Sequence, residues 1–445
     1  MKILLIGPVF QADKATQDGL AIPSLSLHIL AALTPAEHEV VIVDEERGVL
    51  TDTNEECDLV GISCYTSNIR RCYKLASAFR ERGIPVVLGG IHPSAVPKES
   101  IRYADAVVIG EAENVWQNLL KDVQNNKLKK MYKGSFPDLK EYLPLKTRKP
   151  KLSQAFGVVV TETSRGCPYT CDFCSVYLHY GRTQRHKPVE HVVRDLVEVG
   201  AKRVFFVDDN IMGNPNYARE LMKQLTPLKI QWAAQTSIKV IQKNPDLLKL
   251  AVQSGCQGLF FGIESISDAS LKAFHKNIKD KQMIFDTLKM VRDAGIFIYA
   301  GMIFGFDEHT EEVFDEAIEF IYKSKISSVN FTYLTPFPGT VLFDRLQKEN
   351  RIISTNWDDY HFTWGRVPFL PKHFSPEKLL QETLRVKLEV SKLGSLLKRF
   401  PANWHHPIYY SAINYELNRE AKMIKKYHED YRSNNIITPS TFQLE

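Results

Sequence analysis

Over the first ~130 residues, short apolar runs rich in Val and Ile alternate with helix-like stretches. The runs fall at residues 3–7, 39–43, 59–63, 86–89 and 106–110, with a helix-like stretch such as 68–81 between two of them. Buried parallel strands joined by crossover helices read this way, so a doubly wound α/β domain is predicted. From Lys121 to Lys151 the chain turns basic and prolyl (Pro137, Pro144, Pro150), as a surface-packed linker does. The alternation restarts at Gly157. Strands are predicted at 157–163, 203–207, 231–236, 258–263, 297–304 and 328–334, and helices at 189–199, 246–254, 281–294 and 311–324. Six βα units in this rhythm predict a parallel barrel, complete or open. Beyond Pro338 the pattern is helical and mixed, and predicts a smaller C-terminal cap.

Composition adds little to this picture. The chain has 445 residues, 44% hydrophobic and 24% charged, with a formal net charge of +5, which suits a soluble globular protein of two or three domains. Its lysines and arginines are scattered, so no nucleic-acid partner is expected. No apolar run approaches the ~18 residues of a membrane span. The start reads as a first strand and not as a signal peptide, so a cytoplasmic, reducing location is expected. There the seven cysteines are ligands, reactive thiols or small buried hydrophobes before they are disulfides.

The sharpest chemical signal is Ser164-Arg165-Gly166-Cys167-Pro168-Tyr169-Thr170-Cys171-Asp172-Phe173-Cys174. Three thiolates on a tightly curled loop suit an iron–sulfur cluster, and Gly166 and Pro168 permit the bend. The loop follows the first barrel strand, at the end where parallel barrels place active sites. A structural zinc site with His179 as fourth ligand is the competing reading of the same cysteines.

This motif resembles that of the radical S-adenosylmethionine (SAM) superfamily. The resemblance implies one [4Fe–4S] cluster on Cys167, Cys171 and Cys174 whose open iron binds SAM, and reductive cleavage of SAM to a 5′-deoxyadenosyl radical. It also implies that Phe173 contacts the adenine, and that groups at later strand ends hold SAM. These are Asp208 and Asp209, Gln235 and Ser237, Glu264, and Gly305 in Gly301-Met302-Ile303-Phe304-Gly305-Phe306. Each carboxylate alone could equally be a helix cap; their recurrence at the same end of successive strands favours a site.

In the first domain, three loops lie beyond strand ends, where open α/β sheets bind ligands. They are Ser63-Cys64-Tyr65-Thr66-Ser67-Asn68, Gly89-Gly90-Ile91-His92-Pro93-Ser94 and Gly110-Glu111-Ala112-Glu113. The set is similar to the Rossmann-like cobalamin-binding domain fused to many radical SAM enzymes, the arrangement called class B. It implies that Ser63, Tyr65, Thr66, Gly89, Gly90, His92, Gly110 and Glu111 hold cobalamin. No Asp of this domain is followed two places later by His, so the usual cobalt-ligating motif is missing there, and His92 is expected to stabilise its loop. The expected organisation is therefore a cobalamin-binding-like domain at 1–135, a linker at 136–154, a partial (β/α)6 TIM-like radical SAM barrel at 155–340, and a mostly helical region at 341–445.

Cys57, Cys64, Cys72 and Cys256 make no second cluster motif. The resemblance implies a C-methyltransferase that acts on an unactivated carbon through the radical and methylcobalamin, with an external donor such as flavodoxin or ferredoxin. A non-methylating cyclase of tetrapyrroles or lipids, a radical SAM enzyme without bound cobalamin, and a non-catalytic Fe–S protein remain open. Trp357, Trp364, Trp404, Tyr409 and Tyr410 could cover a lipid, a tetrapyrrole or another large apolar substrate, although such aromatics are more often core. A basic helix at 378–399 could touch a membrane surface, although a solvated face is the commoner use.

Overall fold

The computed structural model describes residues 1–10, 24–141, 157–267, 269–270 and 281–433. Most of the expected linker, residues 142–154, lies outside them. The chain divides into two compact units: 1–170, 174–209 and 337–340 form the first, and 171–173, 210–336 and 341–445 the second.

The first unit opens with six parallel strands, β1 (Lys2–Gly7), β2 (Glu39–Asp44), β3 (Leu59–Ser63), β4 (Val86–Gly89), β5 (Ala106–Ile109) and β6 (Met131–Lys133), in the order β2-β1-β3-β4-β5-β6. Helices Leu25–Leu33 and Glu113–Gln124 cover one face of this sheet, where Ile3, Leu5, Leu59, Val87, Ala106 and Val108 pack with Leu27, Trp116, Leu119 and Leu120. Helix Ile69–Glu81 buries Ile69, Cys72, Tyr73, Ala76 and Phe79, one stripe at helical spacing. The edge strand β6 is a sixth that periodicity does not predict.

The same unit contains the pair β7 (Val158–Thr161) and β10 (Arg203–Phe206), which is parallel, and the short antiparallel ladder β8 (Ser164–Arg165) with β9 (Arg185–His186). In the second unit β11 (Gln231–Thr236), β12 (Cys256–Glu264), β13 (Phe297–Phe304) and β14 (Ser328–Tyr333) pair in parallel and in sequence order. Helices Asp246–Gln253, Lys281–Asp293 and Val313–Ser324 make the crossovers. The architecture is therefore a doubly wound domain, βα units of the (β/α)6 kind, and a helical C-terminal region of Val341–Lys348, Pro376–Ser391, Leu393–Arg399 and Pro407–Ser433.

One prediction needs correction. The basic helix expected at 378–399 is two helices, because Lys392 takes extended angles (φ −69°, ψ 151°) between them. The buried Arg399 explains the break: its guanidinium turns inward to donate to the carbonyls of Ile326 and Val390. No helix of the described residues is long and apolar enough to cross a membrane.

Candidate functional site

Sheet order reverses between β1 and β3, and a crevice forms where crossovers leave a sheet in opposite directions. A cavity of about 480 Å³ occupies this place within the first unit. Its floor is apolar, with Leu5, Ile62, Val87 and Val108. Its rim is made by the loops after the strands, through Gly7, Ser63, Tyr65, Gly89, Gly90, Gly110 and Glu111. The opposite wall carries Glu162, Ser164, Arg165, His179, Tyr180 and Asp209.

Not every expected residue lies on this surface. Thr66 and His92 are not among the lining residues. His92 is fully buried, with Nδ1 3.1 Å from Thr66 Oγ1 and Nε2 3.6 Å from Glu99. Burial lowers its pKa, with Glu99 opposing, so the neutral ring staples two rim loops together. Gly90 has φ +110° and ψ −169°, a region only glycine occupies with ease, and a Cβ there would lie 2.5 Å from the Cys64 carbonyl oxygen.

The side chains that join rim to wall were not legible as a group. Buried Arg165 donates through Nη1 to Glu111 and to Glu113 (2.5 Å), and through Nε to Glu162 (2.9 Å). Arg185 Nη2 donates to the other oxygen of Glu111, and Lys187 Nζ lies 3.6 Å from Glu162. Burial works against the charge of Glu162, but Arg165 and Lys187 overcome it and hold the carboxyl below its ordinary pKa. Glu111, expected at a cofactor, has both oxygens in ion pairs. The available signal was Arg165 within the cysteine motif, but its partners lie 52 and 54 residues away.

The cysteines sit on the loop after β8. Gly166 opens it with φ +92°, and a Cβ there would meet the Thr183 carbonyl at 2.6 Å. Cys171 is buried, and Cys167 and Cys174 are half-buried. Among the described residues no three His, Cys, Asp or Glu side chains already form a metal-holding group. The donors nonetheless fit a cubane: three soft thiols within eight residues of one glycine-hinged loop. His179, the possible zinc ligand, is a cavity-wall residue whose pKa burial depresses to about 4, with Arg165 adding to the effect.

In the second unit, the expected SAM-side residues fall at the C-terminal ends of adjacent strands: Gln235 in β11, Glu264 ending β12, and Gly305 just after β13. Glu264 has φ +65°, rare for a residue with a side chain, at a register shift against β13. Strain of this kind concentrates at functional sites. His309, missed by sequence reasoning, pins these ends: Nδ1 accepts from Gly305 N–H (3.3 Å), leaving Nε2 to donate to Ser265 Oγ (2.8 Å). Burial depresses its pKa to about 4, as this neutral tautomer requires. Ser237 precedes helix Ile238–Lys243, and Phe173 has its ring 5.7 Å from that of Phe306.

The two adjacent aspartates differ. The buried Asp208 carboxylate accepts from Thr163 N–H (2.9 Å), Thr163 Oγ1 (2.7 Å) and Ser164 Oγ (2.6 Å), so it braces the start of the cysteine loop. Asp209 lines the cavity, and burial, with Asp208 and Glu162, pushes its pKa up to about 7. A raised folded pKa means that the native state holds this proton while the unfolded chain releases it. Stability is therefore lost as pH rises from about 4 towards 7. Asp209→Asn should remove that loss. Apo-protein melting curves should show the variant gaining on wild type by roughly 2–4 kcal/mol at pH 8 and little at pH 4. Equal gains at both values would contradict it.

Residues 161–321 match the radical SAM superfamily model, and residues 16–120 match the B12-binding domain model. Bacteriochlorophyllide d C-12(1)-methyltransferase of Chlorobaculum tepidum is 30% identical over 94% of this chain and 93% of its own. The C-8(2)-methyltransferase of the same organism is 32% identical over 76% of this chain and 79% of its own. The structure of the methyltransferase TsrM from Kitasatospora setae, with cobalamin and a [4Fe–4S] cluster bound, superposes with TM-score 0.67 over 96% of this chain and 99% of that one, at 14% identity, and shares the fold. The chain belongs to the class B, cobalamin-binding branch of the radical SAM enzymes, and its cofactors are a [4Fe–4S] cluster, SAM and cobalamin.

Proposed function

We propose that this enzyme transfers a methyl group to an unactivated carbon of an extended, apolar small molecule, of the tetrapyrrole or lipid class. The observation that carries the reading is the cavity. Its rim is the glycine loops of a cobalamin-type sheet, and its wall is the neck of the cysteine loop, through Ser164 and Arg165. Bound together, the three cofactors supply a hydrogen-abstracting 5′-deoxyadenosyl radical and a transferable methyl group.

The chain's own part is position and exclusion of water. Cys167, Cys171 and Cys174 hold the cluster. Gln235, Ser237, Glu264 and Gly305 of the second unit would frame SAM, with Phe173 at the adenine. Ser63, Tyr65, Gly89, Gly90 and Gly110 would shape the cobalamin cradle. Residues 1–135 act as the cobalamin domain and 155–340 as the barrel, and a small flavodoxin or ferredoxin delivers the electron. The two bacteriochlorophyllide methyltransferases support a tetrapyrrole as first candidate.

Turnover with SAM labelled in its methyl group tests this. A methyltransferase places the label in product and forms S-adenosylhomocysteine and 5′-deoxyadenosine in equal amounts. Product without the label, with 5′-deoxyadenosine but little S-adenosylhomocysteine, identifies a cyclase or other non-methylating enzyme and overturns the proposal.

A further inference from the structure

The ladder β8–β9 pairs Ser164 with His186 and Arg165 with Arg185. It closes the loop 166–184, so it is the neck of the segment that carries all three motif cysteines. Like charges directly opposite each other on a ladder repel. Two guanidiniums here weaken the neck unless an anion shared between them offsets the repulsion. Glu111 is that anion, with one carboxylate oxygen on Arg165 and the other on Arg185.

The position of Glu111 is set from the cavity side. Gly110 N–H donates to Ser94 Oγ (2.9 Å), and Ser94 Oγ donates to the Gly90 carbonyl (2.7 Å), so the two glycine loops of the rim are tied together. Glu111 is the next residue along. Its backbone is clamped by Gly134, where a Cβ would lie 1.8 Å from the Glu111 carbonyl oxygen. The rim glycines and the Glu111 carboxylate are therefore joined through adjacent, tightly packed backbone.

We propose that Glu111, forked by Arg165 and Arg185, is a positioning residue through which a filled cavity fixes the neck of the cysteine loop. Radical formation would then be matched to the presence of the methyl carrier. The inference rests on the cobalamin reading above. It concerns positioning alone: the fork moves no proton and touches no reacting atom.

The test is hydrogen exchange of peptides spanning 164–186 in the full chain with its cluster reconstituted. Each protein is measured without hydroxocobalamin and at a concentration shown to saturate it. In wild type the ligand should slow exchange at the neck several-fold. In Glu111→Gln, which keeps the shape but loses the charge, saturation should leave the neck unprotected. The ratio of 5′-deoxyadenosine to methylated product should rise about tenfold, within the usual range of coupling factors. Arg185→Lys provides a second variant should Glu111→Gln fail to fold, since it keeps the charge and loses the fork; it should show the same two changes. Neck protection equal to wild type in a saturated variant overturns the latch, as does saturated wild type with no protection. Wild type that retains no cobalamin overturns the cofactor assignment and the latch with it.

Discussion

Replacing Cys167, Cys171 and Cys174 together by alanine is expected to abolish the brown chromophore of the reconstituted protein and all reductive cleavage of SAM. The effect is complete because nothing nearby can substitute. Thiolates are the ligands a cubane requires, and the remaining cysteines lie in other settings. Cys72 is fully buried in helix Ile69–Glu81 with its thiol 3.3 Å from Asn68 Oδ1, and burial raises its pKa well above the ordinary value. Cys256 is buried at the start of β12, where desolvation likewise holds the thiol protonated. Neither can offer a thiolate at neutral pH, so Cys72→Ala and Cys256→Ala should keep a full iron complement. Iron and sulfide analysis, with the electron paramagnetic resonance of the reduced cluster, checks both halves. Four irons and SAM cleavage in the triple variant would remove the cluster from this loop.

What the chain reveals to a reader depends on the distance over which its physics acts. Periodicity is local, and it places β1 to β5 and the barrel strands within one or two residues at nearly every end. The misses are non-local. β6 is three residues, Met131-Tyr132-Lys133, with only the middle one buried, too short and too polar for alternation to register. The break at Lys392 follows from Arg399 reaching carbonyls 72 and 73 positions away. The site divides in the same way. The cysteines and the glycine loops are legible because their chemistry is written in contiguous residues. The Arg165–Glu111–Arg185 fork is not, because opposite charges 54 and 74 residues apart become partners only once the strands have set their ends. His309 is hidden for a related reason. A lone histidine carries no pattern, and its role comes from reaching Ser265 and Gly305 at two strand ends at once.

Adjacent glycines in the cobalamin cradle should respond differently to substitution, although the sequence presents them as equivalent. Gly89 ends β4, and its Cβ direction is that of Val87, two residues earlier on the same face, which lines the cavity floor. A Cβ there meets only Val108 at 3.8 Å, an ordinary contact. Gly89→Leu should therefore fold normally and project its side chain into the ligand's space. Forcing such a group into a filled site costs ~1–3 kcal/mol, so cobalamin affinity should fall about 10- to 100-fold with little change in melting temperature. Gly90 is constrained by the protein itself. A Cβ would sit 2.5 Å from the Cys64 carbonyl oxygen and 2.9 Å from its nitrogen, on a backbone at φ +110°. Gly90→Ala must shift the loop that carries Cys64 and Tyr65, with about 1–3 kcal/mol of backbone strain added to the clash. It should lose cobalamin and also melt earlier, even without the ligand. Equilibrium binding of hydroxocobalamin, followed by its absorption spectrum, and apo-protein melting separate the two. If Gly89→Leu bound cobalamin as wild type does, the cofactor would not lie against β4, and the cavity would have to serve another ligand.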